Sequence, residues 1–313
     1  MENKYNCSII IPIYNSQKSI PVLIRILSDT LQSIVNEYEI ILVNDGSKDG
    51  SWDCIEEISQ LYANIRAFDL ARNFGQHNAL LCGIRQAKYE IIVTMDDDLQ
   101  HPPSEIIKLL DELEKGFDVI YGTPNHETHG FFRNFSSHFT KWALKITTQI
   151  PYTNKISAFR AFRTSLRKLF ANYNNTYVSL DVLLSWGTTK IGFVNVKHNR
   201  REYGKSQYTF FKLFRHALNM ILGFSLLPLR VASILGFVFT IFGFLILAYV
   251  VIRYLVQGGA VPGFSFLASS LAIFSGIILF VLGIMGEYLA RMYSSTLTKP
   301  PYMINRQIGK KYE

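Results

Sequence analysis

The chain has 313 residues, of which 49% are hydrophobic and 18% charged, with a formal net charge of +8. That length suits one domain of ordinary size plus an appendage. The three cysteines, Cys7, Cys54 and Cys82, lie in or beside apolar runs. Their number and spacing exclude a disulfide framework or a cysteine metal site, and they read as reduced, packed thiols.

Residues 1 to about 122 alternate between strand and helix patterns. Strands are expected at Cys7–Ile13, Tyr38–Val43, Ile65–Asp69, Glu90–Met95 and Val119–Tyr121, short and rich in Ile and Val as buried parallel strands are. Between them, Pro21 suits a first helical turn ahead of a stripe formed by Val22, Leu23, Ile26, Leu27 and Leu31. Asp49 or Ser51 can cap a helix carrying Ile55, Ile58 and Leu61. Pro102 to Ser104 opens another helix, which Gly116 ends. This order predicts a mostly parallel α/β sheet with helices on both faces. Further on, helices are expected over 131–148, 164–173 and 178–186, and a strand over Ile191–His198.

Two stretches of 22 residues carry no charge, Val231–Ile252 and Ser265–Gly286. Each is long enough to cross a hydrocarbon core of roughly 30 Å as a helix, and longer than the apolar helices buried in soluble domains. Neither is N-terminal, so neither reads as a signal peptide. Arg200, Arg201, Lys205, Lys212, Arg215 and Arg230 precede the first stretch, and Arg291, Lys299, Arg306, Lys310 and Lys311 follow the second. The loop between holds only Arg253, which predicts both termini and the N-terminal domain in the cytosol. The placement of positive charge favours anionic lipid headgroups or a phosphate-bearing substrate over nucleic acid. Phe210, Phe211, Leu213, Phe214, Leu218, Ile221 and Leu222 fit an amphipathic helix, lying on the membrane surface or packed in the ordinary way. The expected organisation is a domain over 1–205, a juxtamembrane segment over 206–227, two spans over 228–291 and a basic cytosolic tail over 292–313.

In open α/β sheets, ligands bind beyond the carboxyl ends of the strands. Here three strand ends are polar: Pro12-Ile13-Tyr14-Asn15, Asn44-Asp45-Gly46-Ser47-Lys48-Asp49-Gly50 and Asp96-Asp97-Asp98-Leu99-Gln100. Adjacent carboxylates repel unless a cation holds them, and oxygen ligands in that number suit Mg²⁺ or Mn²⁺ bridging to phosphate. The plain alternative is a solvated acidic turn. If the backbone is extended there, Asp96, Asp98 and Gln100 face one way and Asp97 the other. Asp45 can accept hydrogen bonds from a nucleobase or ribose, or serve in a turn and helix cap. After the third strand, Arg72 can meet phosphate, Gly75 permits close backbone approach, and the following helix start offers N–H groups to an anion. His77 near that helix start reads as structural.

These segments together resemble the GT-A fold glycosyltransferases of family 2. Asn15 with its preceding strand, Val43 to Ser51, Arg72 to His77 and Met95 to Pro103 are similar to the polyprenyl-phosphate branch, with its bactoprenol glucosyltransferases and dolichol-phosphate mannose synthases. The resemblance covers about residues 1–210, and the two spans match bacterial members. It implies a Rossmann-like catalytic domain that transfers one sugar from a nucleotide donor, a UDP-sugar first, to undecaprenyl phosphate at the inner membrane face. It implies that Pro12, Tyr14 and Asp45 line the nucleotide pocket. Asp96 and Asp98 would be the ends of an Asp-x-Asp metal motif beside Gln100, with Asp97 turned toward the donor's ribose or sugar. Arg133 and Ser137 resemble a pair that meets the acceptor phosphate. Arg200, Arg201, Lys205, Ser206 and Tyr208 resemble a mobile basic segment that closes over diphosphate and acceptor.

Two positions depart from the family pattern. Ser16 stands where many relatives carry Glu, and Ala158 stands where many carry an acidic residue before Phe159-Arg160. Asp181 is the nearest substitute for a catalytic base. The loss is tolerable, because a phosphate monoester has a second pKa near ~6 and is largely ionised at neutral pH. Direct displacement with inversion is therefore expected. A processive polysaccharide synthase would need more spans and a Gln-x-x-Arg-Trp motif, and a non-catalytic scaffold would not need Asp45, Asp96 and Asp98. Gly236, Gly243, Gly276 and Gly283 can permit close helix contact in a homo-oligomer.

Overall fold

The computed structural model describes residues 5–124, 155–171, 173–174, 178–199, 218, 221–222, 224–257, 263–297 and 299–309. Its centre is an eight-stranded sheet in the order β7-β5-β6-β4-β1-β2-β3-β8. The strands are β1 Asn6–Ile13, β2 Glu37–Asn44, β3 Ile65–Leu70, β4 Ile91–Thr94, β5 Val119–Pro124, β6 Arg160–Arg163, β7 Ile191–Val196 and β8 Ile304–Ile308. Parallel pairings join β1 to β2 and β4, β2 to β3, and β5 to β7. Antiparallel pairings bring in β6 and β8. The sheet is thus mostly parallel, with β6 wedged between β4 and β5.

Strand β1 is central and buried on both faces, so its side chains feed two cores. Cys7, Ile9, Ile11 and Ile13 join the core under α1 (Ile20–Ile34), α2 (Ser51–Leu61) and α4 (Ile106–Glu114). Ile10 joins the other, under α3 (Gln76–Gln86), α5 (Lys168–Ala171) and α6 (Leu180–Gly187). In α1 the sequence stripe is realised through Leu23, Leu27 and Leu31, which are fully buried. Burying a side chain of this kind contributes about 1.5–3 kcal/mol.

One polar tie runs through the far edge of the sheet. Glu39 on β2 accepts hydrogen bonds from Ser8 Oγ at 2.6 Å, from the backbone N–H of Lys88 at 2.6 Å and from Arg66 Nη1 at 3.0 Å. Arg66 and Glu39 are both buried, so each charge depends on the other.

Two elements were not expected from sequence. Strand β6 is one. The other is β8, which lies in the segment read as a basic tail over 292–313 and instead pairs with the edge of β3. Between β7 and β8 the chain forms α7 (Leu227–Gln257) and α8 (Phe264–Thr296), both apolar and long enough to cross a membrane. They touch through Phe239 and Phe274, and Tyr288 OH donates to the Ser225 carbonyl at 2.6 Å. The helix expected over 131–148 and most of the amphipathic segment lie outside the described residues.

Replacing Arg66 by Leu should strand the Glu39 carboxylate and cost about 3–5 kcal/mol. Urea unfolding of the detergent-solubilised protein, followed by near-UV circular dichroism, checks this; an unchanged midpoint would contradict it.

Candidate active site

Strands β1, β2, β3 and β4 are mutually parallel, so their carboxyl ends emerge on one edge. The loops that follow lie side by side, and they are braced by side chains. Asn15 N–H donates to Ser47 Oγ at 2.9 Å, and Lys48 N–H donates to Asn15 Oδ1 at 2.8 Å. Ser16 N–H donates to Ser51 Oγ at 2.9 Å. Ser16 thus links the first loop to the start of α2 through its backbone.

Asp45 staples the second loop to the third. Its two carboxylate oxygens accept from the backbone N–H groups of Phe74, at 2.7 Å, and Gly75, at 2.8 Å. Burial pushes its pKa up while these bonds oppose the shift. At 3% exposure the carboxylate is buried between the second and third loops. The loops can close this tightly because residue 46 is glycine. Gly46 has φ +64°, and a Cβ there would lie 2.4 Å from the Arg72 carbonyl carbon. Gly75, with φ +97°, turns the chain into α3.

The acidic segment is arranged differently from the extended reading. Strand β4 ends at Thr94, and the chain turns at Asp97 and Asp98. Leu99 is left at φ +60°, a left-handed conformation that costs a non-glycine residue roughly 1–3 kcal/mol and is concentrated at functional sites. Alternation along a strand therefore does not govern which carboxylates share a side. Asp96 Oδ1 accepts from Gln76 Nε2 at 2.7 Å, which fixes it from the start of α3. Asp98 Oδ1 accepts from the backbone N–H of Gln100 at 3.1 Å. Asp97 points inward: its Oδ2 accepts from the Tyr14 N–H at 3.3 Å, and burial raises its pKa to about 6. It pins the end of β1 to the end of β4 instead of turning away from the first loop.

Pro12 is buried in β1, and Tyr14 and Gln100 are half-buried at the same edge. The structure thus brings Pro12, Tyr14, Asp45, Gly75, Asp96, Asp97, Asp98 and Gln100 to one edge of the sheet. Arg133, Ser137, Arg200, Arg201 and Lys205 lie outside the described residues.

Asp181 requires correction. Its Oδ1 accepts from Arg160 Nη1 and, at 3.0 Å, from Tyr121 OH, all buried. Arg160 also donates through Nε to Thr94 Oγ1 at 3.2 Å. A carboxylate so paired balances a buried guanidinium beneath the end of β4 and is not a free base. His77 Nδ1 accepts from the Leu180 N–H at 3.3 Å, which ties the start of α3 to α6.

Sequence reading passed over His101 and His198. The Asn199 N–H donates to the Gln100 carbonyl at 2.8 Å and holds the end of β7 against the acidic turn. There His101 stacks on Phe159 with ring centroids 5.0 Å apart and meets His198 edge-on at 5.0 Å. Burial first, then the neighbouring His198, lowers the His101 pKa to about 4, with Asp98 opposing. The His-Pro pair after Gln100 was the available signal.

Among the described residues no three His, Cys, Asp or Glu groups form a ready metal cage. Mg²⁺ and Mn²⁺ are commonly held by one or two carboxylates and completed by substrate phosphates and water. Asp96 and Asp98 are oxygen donors at a strand end and fit such an ion.

A mostly parallel sheet with an acidic turn at its carboxyl edge is a fold of GT-A type. The chain belongs to glycosyl transferase family 2, whose model matches residues 8–173, and it is a glycosyltransferase. It is 31% identical to the undecaprenyl-phosphate 4-deoxy-4-formamido-L-arabinose transferase of Proteus mirabilis (strain HI4320), over 97% of this chain and 94% of that protein. The enzyme of that name from Pseudomonas fluorescens (strain SBW25) is 32% identical over 96% of this chain and 89% of its own length. Among solved structures, glucosyl-3-phosphoglycerate synthase from Mycobacterium tuberculosis with Mn²⁺ and UDP-glucose shares the fold. Its TM-score is 0.51 at 16% identity, covering 70% of this chain and 78% of that one.

Gly46→Ala should force the second and third loops apart and weaken nucleotide binding by about tenfold or more, from strain of roughly 1–3 kcal/mol. Isothermal titration with UDP and Mn²⁺ checks it; wild-type affinity would contradict the bracing role.

Proposed function

We propose that the protein transfers a single sugar from a nucleotide-sugar donor, a UDP-sugar first, to undecaprenyl phosphate at the cytosolic face of the plasma membrane. The observation that carries this reading is the acidic turn Asp96–Asp98, set at the carboxyl edge of a sheet whose last strand follows an apolar helical hairpin. The printed names of the relatives, similar over nearly the whole chain, support the lipid acceptor. The hairpin supports a site at the membrane surface. Because β8 rejoins the sheet after α8, the two ends of the hairpin return to one domain, in keeping with termini on one side.

Asp96 and Asp98 would hold Mg²⁺ or Mn²⁺, with Gln100 beside them. When bound, the ion neutralises charge on the leaving diphosphate. Gln76 orients Asp96, and Asp97 keeps the Tyr14 loop, which would face the nucleoside, fixed against the acidic turn. Arg200, Arg201 and Lys205, with Arg133 and Ser137, would gather the diphosphate and the acceptor phosphate. An acceptor phosphate oxygen attacks the anomeric carbon. The bond from that carbon to the diphosphate oxygen breaks, and the nucleoside diphosphate leaves with the electron pair and inversion. The acceptor is already ionised near neutral pH, so the pairing of Asp181 with Arg160 removes no necessary proton acceptor.

Purified protein incubated with radiolabelled nucleotide sugars and undecaprenyl phosphate should form labelled lipid, and EDTA should abolish the product. Asp98→Ala should lower turnover by about 10²–10³-fold or more, as loss of charge stabilisation in a transition state does, while the protein still inserts into membranes. No labelled lipid with any common donor would overturn the proposal, and normal turnover by Asp98→Ala would overturn the role of the turn.

A further inference from the structure

We infer that Arg306, on the strand after the membrane hairpin, is a positioning residue for the nucleotide-binding loop, acting through Asp69 and Asn44. This rests on the proposed reading of the crevice as a nucleotide-sugar site.

The contacts form a continuous path. Arg306 Nε donates to Asp69 Oδ2 at 3.1 Å. Asn305 Nδ2 reaches the same oxygen at 3.4 Å. In a regular strand, adjacent side chains point to opposite faces, so two neighbours cannot share one partner. Here the β3–β8 register shifts between Asp69 and Leu70, and that irregularity lets Asn305 and Arg306 converge. The other carboxylate oxygen, Oδ1, accepts from Asn44 Nδ2 at 2.7 Å. That bond fixes the Asn44 amide so that its Oδ1 faces the Ser47 N–H, at 3.4 Å. Ser47 Oγ in turn accepts from the Asn15 N–H at 2.9 Å. Asn44 is the last residue of β2, immediately before Asp45 and Gly46.

The electrostatics give Arg306 its weight in the path. Asp69 and Asn44 are 5% and 2% exposed, and a carboxylate buried this deeply is stabilised by a cation. Arg306 supplies it from a half-exposed position, where its guanidinium also lies 5.0 Å from the centre of the Trp52 ring and 3.7 Å from Glu56. The Glu56 contact is half-exposed, and Glu56 also accepts from Trp52 Nε1 at 2.6 Å. The two partners of Arg306 therefore differ: Asp69 leads to the Asn44 loop, whereas Glu56 ties the strand to α2. Met303 adds backbone support, its carbonyl accepting from the Ala71 N–H at 2.9 Å beside the third loop. The strand that follows the membrane hairpin thus reaches the donor end of the site.

The test measures binding of UDP and of GDP, each with Mn²⁺, to the full-length protein in detergent by isothermal titration. For whichever nucleotide binds the wild type, Arg306→Ala and the stem-retaining Arg306→Gln should each raise Kd by about tenfold. Their kcat at saturating donor should stay within about twofold of wild type, a split that general destabilisation does not produce. Glu56→Gln should leave Kd within about twofold. Unchanged Kd in both Arg306 variants, or an equal rise in Glu56→Gln, would overturn this inference alone. A wild-type protein that binds neither nucleotide would overturn the nucleotide reading of the crevice, and this inference with it.

Discussion

Parallel strands that end together leave their last peptide groups without sheet partners, and the rest of this site follows from how those groups are satisfied. The loops after β1 to β4 lie close together and bond across to one another. Asp45 takes two N–H groups of the third loop, Asp97 takes one from the first, and Asn15 exchanges bonds with Ser47 and Lys48. An acidic cluster that looks uniform in sequence is thereby divided. Asp45 and Asp97 bond backbone N–H groups of neighbouring loops, whereas Asp96 is held by the Gln76 amide and Asp98 by the N–H of Gln100 within its own turn. Such bracing lowers the ordering cost of binding, because the loops are already placed.

The second constraint is that the membrane hairpin is an insertion into the sheet rather than an appendage to it. Strand β8 can pair with β3 only if the chain comes back after α8. The edge of β3 would otherwise present unpaired N–H and C=O groups, a liability in a parallel sheet. Covering it with β8 gives the fold an antiparallel border and ties the apolar helices to the domain at both ends.

Much of this was legible in the sequence. The five strands that open the fold are rich in Ile and Val, the helices between them carry clear stripes, and the polar strand ends announce the site. What stayed hidden depends on partners far away in the chain. Strand β6 reads Arg-Ala-Phe-Arg and is a strand only because β4 and β5 flank it. Strand β8 is polar and short, with an exposed centre, and nothing in Ile304–Ile308 specifies pairing without β3. Asp181 looked available as a base because Arg160 and Tyr121, which claim it, lie 21 and 60 residues away. The turn at Asp97 broke the alternation argument, since β4 is only four residues long and stops before the acidic run.

The central claim is that the Asp96–Asp98 turn holds a divalent ion against the diphosphate of a nucleotide sugar, within a crevice braced by Asp45 and Asp97. An experimental structure of the full-length protein with UDP and Mn²⁺ tests it most directly. The account predicts density for the ion between the Asp96 and Asp98 carboxylates and the diphosphate oxygens, with the nucleoside lying along the loops after β1 and β2. An ion or diphosphate bound away from both carboxylates would contradict it.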